Sequence, residues 1–171
     1  MPGESRHQEK WDSVLLLLAR ASNPVIVNVV SYGFHAPSRL ERSSLLPYLR
    51  ERRDLELESV SFLVKNLEAF PQPVSMLTVA TKEDLWWGQH DKVDRHYRGK
   101  YQRIVNRLQL LRGRTGPRRF CHYFASASLL IANFVDRQGF VVRETARSYD
   151  DRLKLLSHER LVGALRASAD R

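Results

Sequence analysis

Val74-Ser75-Met76-Leu77-Thr78-Val79-Ala80 runs directly into Thr81-Lys82-Glu83-Asp84, and the join between these two stretches decides how the chain is read. The first stretch is apolar and follows Pro71 and Pro73, so it reads as a strand entered from a break. The second is short and charged, and reads as the turn at that strand's carboxyl end. Upstream, Val25-Ile26-Val27-Asn28-Val29-Val30 is a β-branched run of the kind buried on both faces of a parallel sheet. Gly33 and Pro37 mark the turn after it. Between the two strands the spacing predicts a helix over about Leu45 to Ala69, with Leu49, Leu57, Val60, Leu63, Val64 and Leu67 as its inner stripe.

The same reading extends to both ends. Residues Gln8–Arg20 carry Trp11, Val14, Leu15 and Leu18 on one helical face, and Asn23-Pro24 ends that helix. Beyond the charged turn, Tyr97, Tyr101, Ile104, Val105, Leu108 and Leu111 predict a helix over about Val93 to Arg112. Phe120–Ala125 is the third strand, Phe140-Val141-Val142 a short extra one. A last helix over about Tyr149 to Ala167 should bury Leu153, Leu156, Leu161 and Leu165. The order α-β-α-β-α-β-α predicts an α/β fold of three layers. Its parallel sheet has about three strands, with right-handed crossovers and helices on both faces. No repeat or linker divides the chain, so 1–171 is expected to be a single domain.

Composition narrows the function classes. With 171 residues and a hydrophobic fraction of 43%, the chain can bury one sizeable core. Val14–Ala19 and Val25–Val30, the longest apolar runs, are too short to cross a bilayer, so no membrane association is expected. The first ten residues are polar and lack the apolar core of a secretory signal. Cys121 is the single cysteine, which leaves no internal disulfide and fits a reducing cytoplasm; between Phe120 and His122 it reads as a buried thiol. The net charge of +9 invites a nucleic-acid reading. Against it, Arg50, Arg52 and Arg53 alternate with Glu51, Asp54, Glu56 and Glu58, as on a solvated helix face. The most basic segment, Arg112–Arg119, is broken by Gly113, Gly116 and Pro117 and reads as a solvated loop or a phosphate- or partner-contacting patch. Nucleic acid is not the expected partner.

Two loops carry the candidate chemistry. In a parallel α/β sheet, ligands gather at the carboxyl ends of the strands. An Asp at position 84 can accept two hydrogen bonds from one edge of a guanine base, and the stem of Lys82 can lie along the ring. Adenine lacks that pair of donors, so one carboxylate separates the purines. The third strand ends in Phe124-Ala125-Ser126-Ala127-Ser128, a small-residue stretch whose backbone N–H groups can approach a ligand and donate to the guanine carbonyl. Other readings stay open: Asp84 as a helix cap, Trp86 and Trp87 as core or as walls of a base pocket, and His35 as an ordinary loop residue. No metal site is expected.

With these loops the chain resembles the carboxy-terminal part of a small, Ras-like P-loop GTPase domain. Thr81, Lys82 and Asp84 match the base-reading Asn/Thr-Lys-x-Asp motif. Ser126, Ala127 and Ser128 match the supporting Ser-Ala-x loop, with Ser128 in place of the commoner Lys. Asn28–His35 and Thr81–Trp87 are similar to segments of a group of bacterial GTPase-like proteins. The resemblance implies that the three strands correspond to strands four, five and six of that domain, and that GTP or GDP is the nucleotide, with the Ala127 backbone supporting the base.

The departures limit what the resemblance implies. No Gly-x-x-x-x-Gly-Lys-[Ser/Thr] occurs, so there is no cradle for phosphates, and Mg²⁺ is not expected in this chain. Gly3, directly before the first helix, resembles the last position of an Asp-x-x-Gly motif whose Asp is missing, as in a domain cut at its switch region. Weak nucleotide binding with negligible hydrolysis is the expectation, and GTPase activity only with an upstream phosphate-binding segment. Val25–Val30 would then be an edge strand with a central strand's sequence, open to a protein partner or a second copy. The alternatives are a nucleotide-free α/β interaction module and, behind it, a basic nucleic-acid binder.

Overall fold

The computed structural model describes residues 13–35, 44–128, 133–136 and 138–170. Residues 13–20 are helical (α1). β1 (Val25–Val30), α2 (Leu45–Glu68) and β2 (Val74–Thr81) follow, then the single turn α3 (Glu83–Trp86), α4 (His90–His96) and α5 (Gln102–Arg112). β3 (Phe120–Ala127), the short β4 (Phe134–Val135) and β5 (Val141–Arg143), and α6 (Asp151–Ala169) complete the chain. Trp11, Pro37 and Gly3 lie outside the described residues.

The fold is α/β, with three parallel strands in the order β1-β2-β3. β2 is central and alternates between two cores. Val74, Met76 and Ala80 join a cluster built with Val60, Leu63, Val64 and Leu67 of α2 and Val105 and Leu108 of α5. Leu77 and Val79 face the other way, with Ala125 and Ala127 of β3, against Leu161 and Ala164 of α6. That makes three layers.

α6 meets the sheet through Ser157, Leu161, Ala164 and Ser168, a stripe with three small residues that lets helix and sheet approach closely. Leu156 and Leu165, expected in the core, are therefore partly exposed, at 41% and 38%. α6 covers β2 and β3 but not β1. Val27 and Val29, in register with Leu77 and Val79 on that face, stay exposed at 46% and 58%. Among the described residues β1 is also an outer strand of the sheet, so its central-strand sequence sits at an edge. Among the described residues, no helix is long and apolar enough to cross a membrane.

The expected helix from Val93 to Arg112 is interrupted. Residues Tyr97–Tyr101 form a wide π-turn in which Gly99 leaves helical geometry (φ −91°, ψ −107°). The wide turn keeps both Tyr97 and Tyr101 inside, where their hydroxyls meet polar groups of the β1 end and the sheet. Leu111, expected inside, is exposed, and Arg112 is buried instead. The Arg112 guanidinium caps the end of α2 by donating to the carbonyls of Leu67 (2.6 Å), Phe70 (2.8 Å) and Gln72. Arg118 donates to the carbonyl of Glu68. Half of the most basic segment is therefore committed to carbonyls at a helix C-terminus.

Candidate functional site

Three strand ends meet along one side of the sheet. At the end of β2, the Thr81 hydroxyl donates to the Val30 carbonyl at 2.9 Å, and the Trp86 indole N–H donates to the Thr81 carbonyl at 2.9 Å. Trp86 is therefore core, at 2% exposure, while Trp87 packs edge-on against His90 and Tyr149. Lys82 turns the chain with φ +60°, a left-handed conformation that costs a non-glycine residue roughly 1 kcal/mol. Its ammonium donates to the Phe34 carbonyl and lies 5.5 Å from the Phe134 ring centre. Burial lowers the Lys82 pKa, and the negative charge of Asp84 works against that shift.

Glu83 and Asp84 then open α3 and are both buried, at 0% and 1% exposure. The parallel register, Ala80 with Ser126 and Thr81 with Ala127, carries two serines to them. The Ser128 hydroxyl donates to Asp84 Oδ1 at 3.1 Å, and the Ser126 hydroxyl donates to Glu83 Oε1 at 3.2 Å. Two later segments close the cluster. The Thr145 hydroxyl donates to Asp84 Oδ2 at 3.2 Å, and Arg160 of α6 reaches Glu83 Oε1 at 3.4 Å. Ser128 is held in turn, its N–H donating to Ser157 Oγ at 3.1 Å and its carbonyl meeting the His158 ring.

The structure thus brings Thr81, Lys82, Asp84, Ser126, Ala127 and Ser128 together. Ser126 and Ala127 lie within β3 and not in a loop, because the ladder with β2 continues two residues further than the apolar pattern. Asp84 does not cap α3: its carboxylate points to Ser128 and Thr145. Sequence reading missed Glu83, Thr145 and Arg160. Glu83 lies within the motif itself and was legible as a second acid; the other two come from segments whose approach no local pattern signals.

A second polar centre lies at the end of β1. Tyr32 (φ +53°) and Gly33 (φ +87°) wrap the chain around Glu56 of α2. Its Oε1 accepts from the N–H groups of Ser31 (3.0 Å) and Gly33 (3.1 Å) and sits 3.0 Å from His35 Nε2. Oε2 accepts from the Tyr97 hydroxyl at 2.9 Å. His96 Nε2 stands 3.8 Å away, too far for a hydrogen bond, so its influence is electrostatic. Burial alone would raise the Glu56 pKa, but His35, His96 and the two amides together pull it down to about 2. The signal for this centre was available: Glu56 falls on the α2 stripe between Leu49 and Val60.

Beneath the sheet, polar residues from all three strands join. Asn28 donates to the Tyr101 hydroxyl at 2.5 Å, Tyr101 and Thr78 share a bond of 3.0 Å, and Thr78 meets His122 Nε2 at 3.0 Å. Burial drives the His122 pKa down to about 4 and, as the largest influence, lifts that of Tyr101 to about 12.

No family model, curated protein or solved structure matches the chain.

Proposed function

We propose that the chain is a guanine-recognising α/β module in which Asp84 reads the base, supported by Lys82, Ser126, Ser128 and the Ala127 backbone. The observation that carries this reading is the Ser128–Asp84 hydrogen bond at 3.1 Å, which joins the ends of two neighbouring parallel strands around one buried carboxylate. A carboxylate surrounded by hydroxyl donors suits the N–H groups of guanine, which are donors of the same kind and take the place of the Thr145 hydroxyl. Base contacts without a phosphate cradle give weak binding, so guanosine should bind weakly through this site, and hydrolysis should be negligible.

Calorimetric titration with nucleosides tests the reading. Guanosine should bind and adenosine should not. Asp84→Asn should exchange guanosine for xanthosine, whose carbonyl stands where guanine carries its amino group. Removing the competing hydroxyl in Thr145→Val should tighten guanosine binding by about three- to tenfold. Equal responses to guanosine and adenosine, or none to either, would remove the proposal. GTP turnover above background would overturn its non-catalytic part.

A second reading is favoured by the exposure of Val27 and Val29 on the outer strand: β1 adds a strand from a protein partner or a second copy.

A further inference from the structure

Between α2 and α4 lies a cavity of about 470 Å³ whose walls are strongly basic. Arg50 and Arg53 project from α2, Lys92 and Arg95 from α4, and Lys100 from the π-turn, with Tyr32 lining the same space. Asp54 is the single acid on the lining. None of the five cations forms an ion pair with a described residue; Arg95 Nε alone is spent, on the Asp91 carbonyl. Five cations around one space, with one acid among them, favour an anion of several charges.

The aromatic wall is fixed in place. Tyr32 is 5% exposed, its N–H donates to the Tyr97 hydroxyl at 2.9 Å, and its ring meets His96 edge-on at 5.6 Å. The Arg53 guanidinium lies 4.7 Å above that ring, which orients its planar fork before any ligand arrives. Glu56, close by, spends its oxygens on the β1 loop, His35 and Tyr97.

We infer that this cavity binds the polyphosphate group of a small phosphorylated ligand. Its volume falls in the range of small-molecule sites, and guanidinium forks match phosphate oxygens in pairs. A nucleic-acid strand would call for a track of cations along the surface. Here they line one space, and in the other basic segment Arg112 and Arg118 are turned to carbonyls at the end of α2. The inference stands apart from the guanine reading, since it uses none of the same side chains.

Inorganic tripolyphosphate, titrated into the purified chain at physiological salt, is the test. It should bind, and orthophosphate should bind far more weakly. Arg53→Ala and Arg95→Ala should each weaken tripolyphosphate by about tenfold or more, with Arg53→Lys also impaired through loss of the fork. Arg152→Ala, which removes an exposed cation from α6, should change nothing, and circular dichroism should show every variant folded. Asp84→Ala should keep tripolyphosphate binding while losing guanosine, so failure of either proposal leaves the other readable. Three outcomes overturn the inference: no tripolyphosphate binding at millimolar concentration, equal weakening by Arg152→Ala, or tight binding of a single-stranded oligonucleotide that tripolyphosphate does not displace.

Discussion

Glu56 and His122 set how the molecule meets acid, one by keeping its charge and the other by refusing one. The Glu56 pKa is about 2 when folded against an ordinary 4.5, so the unfolded chain takes up the proton first. Its contribution is complete above the ordinary value and is lost as pH falls from about 4.5 to 2, in all about 3 kcal/mol. His122 has a folded pKa of about 4 against 6.5, so again the unfolded chain binds protons first. Its share of the loss, of similar size, falls between pH 6.5 and 4. Urea unfolding across this range should therefore show two successive declines. His122→Gln should flatten the upper one and Glu56→Gln the lower one, with Glu56→Gln also less stable at pH 7. A wild-type profile that stays flat from pH 7 to 3 would refute both assignments. His122 was visible in the sequence only as one residue of an apolar strand. Its burial under Thr78 depends on a neighbouring strand that no local pattern identifies.

At the level of elements, strand and helix positions were legible because apolar residues recur at the right period and Pro71, Pro73 and Asn23-Pro24 punctuate them. The π-turn at Gly99 was not, because a helix with one inserted residue keeps nearly the same apolar spacing. β4 was not either, being two residues long. The turn after β1 shows what a single element position can require. Gly33 has φ +87°, and a Cβ there would stand 2.5 Å from the Leu49 carbonyl oxygen on α2. Gly33→Ala must push apart the β1 loop and α2, which also pulls an amide from Glu56. The expected loss is about 2 kcal/mol or more in urea unfolding. An unchanged midpoint would show that the loop yields freely.

For the whole molecule, the charge of +9 is not spread evenly over its functions. Arg112 and Arg118 cap a helix, Lys82 holds the Phe34 carbonyl, Arg160 reaches the buried Glu83, and five others line the cavity beside Tyr32. Composition gave only the sum. The sheet shows a comparable limit: the sequence of β1 suits a strand covered on both faces, whereas Val27 and Val29 leave one of its faces exposed. Val29→Lys places a charge on that exposed face, a common guard of sheet edges. Sedimentation should show the wild-type chain self-associating at tens of micromolar and Val29→Lys monomeric. A monomeric wild type would exclude pairing between copies. The candidate base site was legible to the extent that two loops could be assigned to neighbouring strand ends. The Thr145 hydrogen bond to Asp84 and the reach of Arg160 were not, since both depend on how the chain returns after β3.

The paired carboxylates have one more consequence, for assembly of the sheet. Glu83 and Asp84 are adjacent on a turn, while Ser126 and Ser128 alternate along β3 with Ala127 between them. A slip of β3 by one residue would bring Ala127 to where a serine should be and strand charge in the interior without its hydroxyl. Each lost hydrogen bond to a charged group costs about 1.5–3 kcal/mol, a large part of the stability of a domain this size. The acids therefore act as a vernier that admits one alignment of the strands, a duty they perform whether or not a ligand ever reaches them.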